Sequence, residues 1–200
     1  MQGEEHAWNL LAESDPQEVC TRTGASYLPA ELCYVVPVFG HPVTVDLKDH
    51  VLRGASPEAQ FVLTRTAYFS RLSILRYLLD AQNIKPTGRL LKPTELKSGQ
   101  IYLKGSHLLP LEAIAGRFGD DPEGFFRQGA RYGAQPRAYG DAALELLPFA
   151  RVPITVILWR ADEEFPARCY LLFDETCELH LPPDILWSVA MMSSLVLIKG

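Results

Sequence analysis

The stretch Val152–His180, VPITVILWRADEEFPARCYLLFDETCELH, decides the fold. Its first part, Val152 to Trp159, is almost continuously apolar and rich in β-branched residues. Such a run suits a strand buried on both faces, and a proline near its start favours strand over helix. Arg160 to Pro166 then breaks the run with three acids, an arginine and a proline. A second apolar run follows from Ala167 to Asp174. Side chains alternate along an extended chain, so Cys169, Leu171 and Phe173 share one face and Tyr170, Leu172 and Asp174 the other. A linker this short predicts an antiparallel hairpin, because a parallel pair needs a long crossover.

The flanks fit around that hairpin. Residues 142–149 form an apolar run leading into it. Beyond His180, Pro182-Pro183-Asp184 opens a helix over 184–197, with Ile185, Leu186, Val189, Met192 and Val196 near one face. A second hairpin is predicted from Cys33–Phe39 and Pro42–Leu47, with Gly40-His41 at its tip. Pro37 and Pro42 cannot donate to a ladder and suggest an edge position; His41 at the tip is expected to be exposed. Ser56-Pro57-Glu58 is a helix start. It predicts one helix over 57–83 whose buried stripe is Phe61, Tyr68, Leu72, Leu75 and Leu79, with Arg65, Arg71 and Arg76 on a solvated face. Shorter helices are expected over 109–118 and, capped by Asp121, over 122–132. At the N-terminus, Met1–Leu11 and Pro16–Cys20 read as short helices, the first with Trp8, Leu10 and Leu11 docking on the body, and Gly24 as a helix cap. Lys85–Ile101 is a turn-rich basic loop with a short strand at 89–91. The expected fold is α+β, a mostly antiparallel sheet built from hairpins and covered by helices. It forms a single domain over 1–200, in which 1–14 is a loosely attached segment.

Composition limits the function classes. The chain has 200 residues, 24 acids against 19 Lys and Arg, and a net charge of −5. An acidic chain without a basic run lacks the electrostatic footprint of a nucleic-acid binder. No apolar stretch is long enough to span a bilayer, and the acidic start is no secretory signal, so no membrane partner is expected and the cytoplasm is the expected compartment. No phosphate loop, G-x-S-x-G or H-E-x-x-H motif occurs. Cys20, Cys33, Cys169 and Cys177 contain no C-x-x-C pair, and free cysteines are mostly small buried hydrophobes.

One region carries candidate chemistry. Asp162, Glu163 and Glu164 lie in the hairpin loop, with Trp159, Phe165 and Tyr170 around them. The plain reading is a solvated turn. The functional one turns a carboxylate back against the aromatics, where desolvation raises its pKa and makes it an acid or base, or lets it hold a hard cation. His107, after Gly105-Ser106 at a helix start, is a further ligand-binding candidate. Asp174 and His180 are ligand-capable, but a strand rises about 3.3 Å per residue, so they lie about 20 Å from the loop.

The string WRADEEFPAR, with LFD and HLP after it, resembles a bacterial and archaeal family catalogued as a domain of unknown function. TGA at Thr23, LRYLLDA at Leu75, GSH at Gly105 and LPFARVP at Leu147 strengthen the resemblance, which covers nearly the whole chain. Members come largely from anaerobes, and some are described as iron-sulfur proteins. The resemblance implies no established activity. The first expectation is therefore a small-ligand-binding or accessory protein of anaerobic metabolism, with a small molecule or a protein as partner. Two alternatives stand beside it. One is a metal-dependent enzyme using the 162–164 carboxylates. The other is an iron-sulfur or redox protein ligated by Cys20, Cys33, Cys169 and Cys177. No cofactor is singled out.

Overall fold

The computed structural model describes residues 2–97, 99 and 108–200. Helices α1 (Gln2–Glu13) and α2 (Pro16–Thr23) lead into β1 (Ser26–Leu28), β2 (Cys33–Val38), β3 (His41–Asp46) and β4 (Val51–Gly54). Helices α3 (Pro57–Arg65) and α4 (Ala67–Asp80) follow, then β5 (Leu90–Leu91), α5 (Leu111–Phe118) and α6 (Pro122–Arg131). The chain continues through β6 (Gln135–Arg137), β7 (Ala142–Phe149), β8 (Val152–Trp159), β9 (Arg168–Asp174), α7 (Cys177–His180) and α8 (Pro183–Lys199). The fold is α+β. Four strands form one sheet in the order β1-β2-β3-β4, five form another in the order β5-β9-β8-β7-β6, and every pairing among them is antiparallel. No helix of the described residues is long and apolar enough to cross a membrane.

The central hairpin is where the apolar runs put it. β8 is the middle strand of the larger sheet, and Val152 through Leu158 are all buried. The inner rows, Ile154, Val156 and Leu158 with Leu171 and Phe173, join one hydrophobic core that also takes in the smaller sheet and the helices. α8 is apolar on most sides and runs through that core, buried at Ile185, Leu186, Val189, Ala190, Met192, Val196 and Leu197 and packed on α4, α5, α6 and β7.

Four expectations change. The helix over 57–83 is two helices broken at Thr66. The Thr66 and Ser70 hydroxyls both donate to the Val62 carbonyl, at 2.7 and 2.8 Å, in competition with a regular helix ladder. The break resets the phase of α4. Its buried face is Ser70, Ser73, Ile74, Leu75, Tyr77 and Leu78, while Tyr68, expected in the core, is 74% exposed. Pro37 and Pro42 do not mark an edge, because they face each other inside the smaller sheet. The β2–β3 turn is two residues long, so this second pair is non-hydrogen-bonded and both ring nitrogens point outward. The outer neighbours pair only from Val35 and Val43 on, so no ladder bond is lost. His41 is not free at its tip: Nδ1 lies 3.0 Å from the Ser56 hydroxyl and Nε2 2.7 Å from the Arg131 carbonyl. Finally, α1 docks through Trp8 and Leu11 as expected, but Leu10 is 37% exposed. Ala7, Trp8 and Leu11 are buried, Trp8 stacks on His50, and Arg71 donates twice to Glu4. Strands β1, β4 and β6 were not anticipated.

The two sheets meet at the β2–β3 turn. Phe39 and Gly40 have φ of 49° and 75°, the type I′ geometry that matches strand twist. A phenylalanine occupies this disfavoured region because its ring is wholly buried and edge-on to Tyr132, while its N–H donates to the Leu147 carbonyl of β7 at 3.0 Å.

Candidate functional site

At the loop end of the β8–β9 hairpin, Asp162, Glu163, Glu164 and Phe165 are all exposed. Asp162 is used by the turn itself. Its Oδ1 accepts the N–H groups of Glu164 and Phe165 at 2.9 and 2.7 Å, and its own N–H donates to the Phe165 carbonyl. Those amides hold its carboxyl below the usual range. Asp162 is therefore not the carboxylate that the functional reading turns back against the aromatics: it faces water and amide donors, as in the solvated turn of the plain reading. Phe165 carries the Arg168 guanidinium over its ring at 5.1 Å. Trp159 and Tyr170 lie on the outer face of the larger sheet, diagonal to one another, both 41% exposed. Tyr139 and Leu147 are also exposed beside that sheet. His107 lies outside the described residues.

Asp174 and His180 are at the opposite end of β9, as the strand geometry required. Asp174 clasps the loop before β5. Its carboxylate accepts the N–H groups of Thr87 at 3.2 Å and Gly88 at 2.7 Å, and the N–H and hydroxyl of Thr176 at 3.0 and 2.7 Å. Burial alone pushes its pKa up, but these donors together prevail and hold it below the usual range.

His180 is buried at the end of α7. Its Nδ1 accepts the Gln82 N–H at 3.2 Å, which fixes the neutral ring with its proton on Nε2, and Nε2 finds no partner among the described residues. Burial, then Arg151, push its pKa down, against Asp174. The folded chain thus keeps His180 neutral at a pH where the unfolded chain protonates it. Stability from this residue is complete above about pH 6.5 and is lost as pH falls below that value. Urea unfolding between pH 7.5 and 5.5 will show a downward slope that His180→Gln flattens; an unchanged slope in the variant refutes the assignment.

His180 also lines a cleft of about 500 Å³ between α4, α7 and the start of α8. Arg76 and Asp80 from α4, Lys97, Glu178 and Pro182 complete its wall. Arg76 holds the Asp80 carboxylate at 2.6 Å, yet burial raises the Asp80 pKa despite that cation. The Lys97 N–H donates to Glu178 at 2.9 Å. The cleft therefore brings together a carboxyl shifted up, an imidazole shifted down and two cationic side chains. Arg76, expected on a solvated face, lines the cleft instead, and so does Asp80, which no catalytic or metal-ligand motif singles out. A signal existed: Asp80 is an acid in the last turn of a helix, where the helix dipole disfavours it.

The four thiols do not form a centre. Among the described residues no three His, Cys, Asp or Glu side chains converge as a metal group. Burial pushes Cys169 and Cys177 up to about 12 and raises Cys20 and Cys33, so all four stay protonated at neutral pH.

The family with the description Domain of unknown function (DUF3786) matches residues 15–195. The chain belongs to that family. The DUF3786 match takes in both sheets, the hairpin loop and the whole cleft, and begins after α1. No curated protein and no solved structure matches the chain.

Proposed function

We propose that this DUF3786 protein binds a small polar molecule, and that the molecule sits in the cleft walled by Arg76, Asp80, Lys97, Glu178 and His180. The observation that carries the reading is the pair of opposed shifts in one cleft, Asp80 upward and His180 downward. Desolvated groups of that kind beside cationic side chains are common in binding sites. The reading keeps the expectation of a small-ligand-binding protein and moves its site from the hairpin loop to the other end of β9. Arg76 and Lys97 suit a negatively charged group, and Asp80 and Glu178 suit a donor next to it. A small hydroxy acid or amino acid has both. The anaerobic setting suggested by the family resemblance is compatible with such a ligand.

The test is thermal unfolding of the intact chain with acetate, glycine and inorganic phosphate separately. A probe at ten times its dissociation constant raises stability by about 1.4 kcal/mol, hence the melting temperature by roughly 3–6 °C. At least one probe will do so saturably, and Arg76→Gln will abolish the shift while remaining folded. No saturable shift with any of the three contradicts the reading.

A further inference from the structure

A second hollow lies one turn further back along α4 and shares no lining residue with the cleft. Its volume is about 380 Å³, and its walls come from α1, α4 and α8. Three rings bound it. Tyr68 and Phe69 meet at 5.1 Å and 88°, Phe69 and Trp187 at 5.4 Å and 77°. Leu72 and Ile185 supply aliphatic surface, and Glu4 and Asp184 supply charge.

Among the described residues the charge of the lining is one-sided, with two carboxylates and no Lys or Arg. Arg71 neutralises Glu4 from outside the lining, with Nε and Nη2 at 3.0 and 2.6 Å from one carboxylate oxygen. Asp184 has no ion-pair partner among the described residues, and no lysine or arginine of the hollow can supply one. Tyr68 is 74% exposed, the most exposed large apolar side chain described, so one aromatic wall stands open to solvent. Aromatic faces carry negative charge density and attract cations, most of all those too weakly hydrated to prefer water. Rings set at near-right angles beside an unpaired carboxylate form the arrangement that recognises alkylated ammonium groups. An anion would meet the unpaired Asp184 carboxylate here, whereas a cation would gain it as a counter-charge.

We propose that this hollow is a binding site for an organic cation, an ammonium carrying methyl or other alkyl groups, held by Tyr68, Phe69 and Trp187 with Asp184 as its counter-charge. Gly3 and Glu4 come from α1, outside the residues 15–195 that the family model matches.

The experiment uses the full chain, ¹⁵N-labelled, titrated with choline and with its neutral carbon isostere 3,3-dimethylbutanol. Choline will shift the resonances around Tyr68, Phe69 and Trp187 saturably, and the isostere will bind at least about threefold more weakly, the ratio a modest cation–π attraction gives. Tyr68→Ala, at an exposed position that the fold does not need, will weaken choline by a similar factor with an unchanged melting temperature. Asp184→Asn will weaken choline and not the isostere. Absence of saturable choline binding overturns the proposal, as does equal binding of the two probes. Loss of choline binding in Arg76→Gln with Tyr68→Ala unaffected would also overturn it, by moving the cation to the neighbouring cleft.

Discussion

Replacing Asp174 by alanine will cost the fold about 3 kcal/mol, a fall of roughly 6–12 °C in melting temperature. Asp174 is 1% exposed and receives three backbone N–H groups and one hydroxyl. Alanine leaves the amides of Thr87, Gly88 and Thr176 without their acceptor, the last of them in a buried position, and hydrogen bonds to a charged group are the strong ones. Asparagine retains one acceptor oxygen and will lose less. The pH dependence has a definite sign. Because the folded carboxyl is held below its ordinary value, its stabilisation is complete above about pH 4 and disappears as pH falls through the folded value. Urea unfolding of wild type and Asp174→Ala will therefore converge toward acid. A loss below 1 kcal/mol at neutral pH would show that the clasp of the Thr87–Gly88 loop is idle.

The second large effect is at Phe39. Its ring is fully buried at the junction of the two sheets, so Phe39→Ala will destabilise by about 3–5 kcal/mol. Its φ of 49° adds a diagnostic. A left-handed backbone costs a side-chain-bearing residue about 1–2 kcal/mol, and glycine avoids that cost. Phe39→Gly should thus be the more stable of the two variants by about 1 kcal/mol, although glycine normally loses to alanine. Equilibrium denaturation of both decides it; the reverse order would mean that the turn is not strained.

Where the chain was readable, a local pattern and a burial requirement agreed. The unbroken apolar run of Val152–Leu158 had to be covered on both faces, and the central strand of a sheet is where that happens. Ser56 and Asp121 each accept the amide that their helix starts left open, at 3.0 and 2.8 Å. Gly24 closes α2 with φ of 75°. The differences came from contacts that no periodic pattern shows, some local and some between segments far apart in sequence. A helical stripe from Phe61 to Leu79 looks continuous until Thr66 and Ser70 take the Val62 carbonyl; Tyr68 then leaves the core, while Leu75 stays in it. The short strands β1, β4 and β6 have few side chains to set a period, and their pairing partners define them. The cleft was hidden for the same reason. Asp80 and His180 are 100 positions apart, and nothing near either one announces the other. The hairpin loop drew attention because its acids are consecutive in sequence; in space they point to water.

The measurement that bears most directly on the proposed function is a crystal structure of the protein soaked with whichever of acetate, glycine or phosphate raises its melting temperature most. The account predicts the probe in the cleft, with its anionic group on Arg76 or Lys97 and within reach of His180 or Asp80. A probe bound only elsewhere, with the cleft side chains unmoved, would contradict it.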